Sequence, residues 1–105
     1  MDKRSKVWAA ARQLAPPTLL RIQTAFPGIR IENVDFTQIS NSITRAQRAK
    51  ERVVVVHPVW PGQSWWEKLA QSRTVALNIG NYDSVFVTKP CESTPEWRFQ
   101  ASLLN

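Results

Sequence analysis

The densest group of chemically capable side chains is residues 57–66, HPVWPGQSWW, directly after four valines at 53–56. His57 is the only histidine. Its side chain is the one that ordinarily titrates near neutral pH, so it could act as a general base or as a hydrogen-bond partner to a ligand. Trp60 offers a flat ring on which a nucleobase could stack, an interaction of roughly 1–3 kcal/mol per base. Both also have plainer readings. A histidine that closes a strand before a proline is more often packed, and Trp65 and Trp66, inside a helix start, read as core.

Other chemistries have less support. Cys91 is the only cysteine, so neither an internal disulfide nor a structural zinc site can be assembled from it and one histidine. No Gly-x-Ser-x-Gly elbow is present, and Gly28, Gly62 and Gly80 stand alone, which excludes phosphate-loop and dinucleotide fingerprints. No cofactor and no metal is expected. Among the carboxylates Asp35 is the best placed, at the end of an expected strand, where its more ordinary role is a helix N-cap.

The elements that must position these residues belong to one small domain. With 105 residues, 43% apolar and 21% charged, the chain has material for one core: a basic helical part over 1–28 and an α/β core over 29–105. No apolar run approaches the roughly 20 residues of a membrane span, and the first residues lack the apolar stretch of a signal peptide, so a soluble, intracellular protein without membrane contact is expected.

The net charge of +6 is unevenly distributed. Residues 1–52 hold ten Lys/Arg against four Asp/Glu, and residues 53–105 hold four against four. Such asymmetry suits an acidic partner, nucleic acid being the commonest. Arg45, Arg48, Lys50 and Arg52 gather at the end of an expected helix, where positive charge also complements the helix dipole. These four, with His57 and Trp60, are the candidate nucleic-acid contacts. A solvated basic face is the plain alternative.

In chain order, Val7, Ala10, Ala11 and Leu14 have helical spacing, and prolines 16 and 17 end that segment. A second helix is expected from Pro17 or Thr18 to Phe26, stopped by Pro27-Gly28. A short, edge-like strand is expected over 29–34. Asp35 and Gln38 resemble a capping box, before Ile39, Ile43, Ala46 and Ala49 at helical spacing. The valine run is β-branched and apolar on both faces, which marks a strand covered on both sides. Ser64-Trp65-Trp66-Glu67 reads as a second capping box. Strands over 73–79 and 84–88 look like a hairpin about Gly80-Asn81-Tyr82-Asp83. In the tail, Thr94-Pro95-Glu96 could open a helix, yet Trp97, Phe99, Ala101 and Leu103 alternate as in a strand. The alternation of elements predicts a small three-layer, mainly parallel sheet of half-Rossmann type, with an antiparallel C-terminal hairpin and N-terminal helices.

Residues 33–69 resemble a segment in polyproteins of DIRS-like, tyrosine-recombinase retroelements and, more loosely, phage-type DNA adenine methyltransferases. Pro58, Trp60, Pro61, Gln63, Trp65 and Trp66 match a Pro-x-Trp-Pro-x-Gln-x-Trp-Trp-like loop. Asn33-Val34-Asp35-Phe36 keeps the first and last positions of an Asn-Pro-Pro-Phe-like motif and lacks both prolines. The resemblance implies a fold fragment with a nucleic-acid history; the glycine-rich turn that such enzymes use for S-adenosylmethionine is missing from this sequence. Three functions are therefore weighed: a non-catalytic nucleic-acid-binding module, a structural or adaptor subunit that docks on a protein, and a degenerate methyltransferase fragment using Asn33, Asp35 and Phe36.

Overall fold

The valine run forms the strand that organises the molecule. In a computed structural model, which describes residues 13–88 and 94–104, strand β2 (Val53–Pro58) is buried along its whole length. Val54 and Val56 face one apolar cluster, and Val53 and Val55 face another. A strand apolar on both sides is stable only with cover on both sides, and helices provide it. The basic helix expected before Leu14 lies, apart from Gln13 and Leu14, outside the described residues, as does Cys91.

Helix α1 (Pro16–Ala25) starts at the first proline, because a proline at the first helical position needs no amide hydrogen and already has helical φ. It turns Ile22 inward, with Phe26 just beyond its end, and Thr18 donates to the Ser84 carbonyl at 3.2 Å. Gly28, at φ 75°, makes the turn into the short edge strand β1 (Arg30–Glu32), which runs parallel to β2. Asp35 then caps a 3₁₀ turn at Phe36–Gln38, accepting from the Thr37 amide at 3.0 Å and from the Thr37 hydroxyl. Helix α2 (Ile39–Ala49) buries Ile39, Ser42, Ile43 and Ala46, while Ala49 is exposed. Helix α3 (Ser64–Ser72) follows β2 and buries Trp65 and Leu69. Gln63, and not Ser64, occupies its cap position, and the Ser64–Glu67 capping box does not form.

The second half departs from expectation. Strand β3 (Arg73–Asn81) runs on through Gly80, whose φ of 108° accommodates an irregularity in its pairing. The chain then forms a single helical turn, α4 (Tyr82–Val85), and not the return strand of a hairpin. Tyr82, Val85 and Phe86 have the i, i+3, i+4 spacing that places all three on one side of such a turn, and all are buried. Their rings meet Phe99, Tyr82 at 6.0 Å and Phe86 at 5.1 Å between centroids. Phe86 makes an isolated antiparallel bridge with Leu14.

Strand β4 (Arg98–Leu104) is the element whose position decides the topology. It inserts between β2 and β3, antiparallel to both, giving the order β1-β2-β4-β3. The sheet is therefore mixed, with β1–β2 its one parallel pair, and the expected mainly parallel half-Rossmann arrangement is not formed. Phe99, Ala101 and Leu103 join the cluster beneath α1 and α4; Leu104 joins the one beneath α2 and α3. The alternation of β4 suggests cover on one face only, yet the strand is taken up inside the sheet, where Ala101, Ser102, Leu103 and Leu104 are all buried. Among the described residues, no helix is long and apolar enough to cross a membrane.

Candidate nucleic-acid interface

His57 lies on β2 and is fully buried. Its Nδ1 is 2.9 Å from the Pro58 carbonyl, which can only accept, so Nδ1 carries the proton. Nε2 then accepts from the Ser102 hydroxyl on β4, at 2.7 Å. Trp65 and Trp66 stand edge-on to the imidazole, with centroids 5.8 and 5.9 Å away. Burial pushes the pKa of His57 down to about 4; the Pro58 hydrogen bond works against this, and the nearby charge of Arg73 adds to it. The imidazole is neutral at pH 7.

A serine and a histidine within hydrogen-bond reach form the pair from which activated nucleophiles are built. Here both are 0% exposed, two indoles flank the imidazole, and a carbonyl, in place of a carboxylate, fixes its other nitrogen. The pair ties β2 to β4 through the core and presents nothing to solvent. Ser102 was hidden from sequence reasoning because it occupies the polar register of an alternating strand, the register that faces water when only one side of a strand is covered.

Trp60 is half-buried, its ring perpendicular to that of Trp97 at 4.9 Å. The loop around it is fixed by backbone bonds, Val59 N–H to the Arg98 carbonyl at 2.9 Å and Gln63 N–H to the Trp60 carbonyl at 3.1 Å. The Arg73 guanidinium lies 5.7 Å from the centre of the Trp66 ring. The tryptophans of this region thus stack on the protein's own groups.

The basic residues are placed differently. Asn41, Arg45 and Arg48 follow one another at i, i+4 and i+7 on the side of α2 that faces away from the sheet. All three are exposed, and with Thr44 they line a shallow open depression. Neither arginine forms an ion pair among the described residues. Beside them Lys68 of α3 reaches across, its Nζ 3.3 Å from Ser40 Oγ and 3.5 Å from Thr44 Oγ1. Sequence reasoning passed over Lys68, whose only signal was a charge in a short helix; the packing of α3 on α2 brings it to Ser40 and Thr44, the latter one turn before Arg48.

Lys50 closes α2 in the left-handed conformation, φ 51° and ψ 38°, its amide donating to the carbonyls of Ala46 and Gln47. Arg52 lines a separate groove with Phe26, Arg30, Glu51 and Val75. Arg30 stands between Glu32 at 3.1 Å and Glu51 at 3.0 Å, so the acidic groups nearest that groove face a cation of their own. Of the six candidate contacts, Arg45 and Arg48 share a surface and Lys50 ends the same helix. Arg52 opens elsewhere, His57 is enclosed, and Trp60 is packed on Trp97. No group of side chains suited to a metal ion occurs among the described residues.

Comparison with known proteins adds no relative: no family model, no curated protein and no solved structure matches the chain.

Proposed function

We propose that this protein is a non-catalytic nucleic-acid-binding module that contacts phosphates through the outer face of α2. The observation that carries the reading is the pair Arg45 and Arg48, aligned and exposed on one helix face with no carboxylate partner among the described residues. Lys68 adds a third cation, held in place by hydroxyls that leave its charge intact. The concentration of positive charge in the first half of the chain supports the same reading, and an intracellular setting would supply the ligand.

The test is a salt titration of a labelled nucleic acid by fluorescence anisotropy. With three phosphate contacts, log K falls with log salt at a slope of about −3, so raising salt from about 50 to about 200 mM weakens binding roughly 40-fold. The Arg45→Gln/Arg48→Gln variant should lose about two-thirds of that slope. Absence of binding at low salt would sink the proposal.

A second reading, docking to a protein partner, is favoured by one observation. Strand β3 is a nine-residue sheet edge on which Thr74, Val75 and Ala76 are exposed, Val75 by 50%. Arg73 is the one charged residue of that strand and Arg21 donates to the Asn78 carbonyl, which leaves the segment 74–76 as the uncharged edge that favours pairing with another chain. Self-association or capture of an extended peptide, in a protein that binds no nucleic acid, would be its signature.

A further inference from the structure

The polar side chains of β4 meet different surroundings along the strand. Pairing sets His57, Gln100 and Asn78 side by side across β2, β4 and β3, and the next row holds Val59, Arg98 and Asn81. Residues directly opposite one another share a sheet face, so this face carries a polar strip. At one end the strip is sealed: His57 and Ser102 are buried, with the indoles of Trp65 and Trp66 edge-on to the imidazole. At the other end the cover stops. Gln100 is half-buried, Asn78, Asn81 and Arg98 are exposed, and with Val59 they line a groove of about 390 Å³, a volume in the range of small-ligand pockets.

The hydrogen bonds along this strip run in one direction. Arg73, whose guanidinium rests against Trp66, can only donate, and its Nη1 lies 3.4 Å from Gln100 Oε1. That bond turns Gln100 Nε2 towards Asn78, where it donates to Oδ1 at 2.9 Å. The chain therefore ends on Asn78 Nδ2, whose hydrogens meet no acceptor among the described residues. Arg21 holds the same residue from the sheet edge, donating to its backbone carbonyl at 3.0 Å. Arg98 forms no ion pair among the described residues; Asp83 and Glu96 border a separate depression on its other side. No carboxylate among the described residues lines the groove. A merely solvated face needs no such order, since water both donates and accepts. Fixed donors beside a guanidinium are complementary to an oxyanion.

We infer that this groove, apart from the α2 surface, binds the phosphate group of a small ligand, with Asn78 Nδ2 and the Arg98 guanidinium as its donors. Asn81, whose amide is free to turn, adds a third donor. A phosphate has oxygens for all three, where a carboxylate has two. Arg73 and Gln100 are positioning residues, which set the direction in which Asn78 presents its hydrogens. Free phosphate and the phosphate of a nucleotide offer the same oxygens, and experiment separates them.

Inorganic phosphate, adenosine monophosphate and acetate are titrated separately into the full nitrogen-labelled chain, and the side-chain N–H resonances of Asn78, Asn81, Gln100 and Arg98 are followed by NMR. Phosphate or the nucleotide should shift the Asn78 and Arg98 resonances along a saturating curve with a Kd of about 10 mM or tighter. Asn78→Asp keeps the acceptor that Gln100 needs and replaces both donors by an oxygen. It should weaken binding about tenfold or more while the melting temperature stays within about 2 °C of the parent. Arg98→Gln, at an exposed position, should also cost about tenfold. A nucleotide bound about fivefold or more tighter than phosphate marks a nucleotide site, and a smaller ratio marks a site for the bare group; either upholds the inference. Unmoved resonances, shifts confined to α2, acetate bound as tightly as phosphate, or either variant binding like the parent overturns it. The salt titration of the α2 surface stands or falls separately.

Discussion

The loop after β2 and the outer face of α2 make an instructive pair. The loop region holds the residue types that chemistry favours: the only histidine, and tryptophans at close spacing. Its imidazole is bonded on both nitrogens in the core, and its indoles meet His57, Trp97 and Arg73. The face of α2 holds two arginines and an asparagine of ordinary kind, whose positive charge a helix dipole would explain alone, yet these remain in solvent and close together. Residue type nominates candidates; exposure after packing selects among them. An imidazole between two indoles strengthens the interior, while a guanidinium without a carboxylate stays available to an anion.

This contrast can be broken or sharpened by measurements of decreasing expected size. If the loop region is structural, Trp65→Ala, which empties a buried indole site between His57 and Leu69, should destabilise the protein by about 3–5 kcal/mol in urea unfolding. A loss below about 1 kcal/mol would mean that the tryptophans are not the core of this layer.

Next in size is the pH dependence of stability. The folded pKa of His57 is about 4, against 6.5 for the free side chain, so below pH 6.5 the unfolded chain binds the proton that the folded one refuses. The contribution of the neutral imidazole is complete above pH 6.5 and is lost as pH falls towards 4, about 3 kcal/mol in all. In His57→Gln that component of the pH slope should disappear. A slope of equal size in the variant would assign it to other groups.

The smallest effect on stability belongs to the other member of the pair. Arg45→Gln/Arg48→Gln should shift unfolding by no more than about 0.5 kcal/mol, since neither side chain is buried or ion-paired among the described residues. The same variant should lose most of its nucleic-acid affinity. A large loss of stability would make the two regions alike, and α2's cations would be structural after all.

Much of the local structure could be read before any coordinates. The valine run declared a doubly covered strand, Asp35 a capping role, the Ile39–Ala49 pattern its helix, and the Trp97–Leu103 alternation a strand. Each of these depends on neighbours within a few residues. The pairing of β3 did not belong to that group. Gly80-Asn81-Tyr82-Asp83 has turn-forming residues, but Tyr82 and Phe86 gain more by entering the core against Phe99 than a return strand would gain at the sheet edge. The same burial draws β4 between β2 and β3 and makes the sheet mixed.

For the candidate site the division follows the same physics. Composition and spacing alone determined that a surplus of positive charge sits in the first half and that Arg45 and Arg48 fall on one side of a helix, because charge and helical period are local properties. Tertiary structure alone decided that Lys68 reaches Ser40 and Thr44 of the same helix, that Arg52 faces another groove and that His57 is sealed beside Ser102. Those outcomes depend on which elements lie against each other across tens of residues, and hydrophobic burial summed over the whole chain settles that.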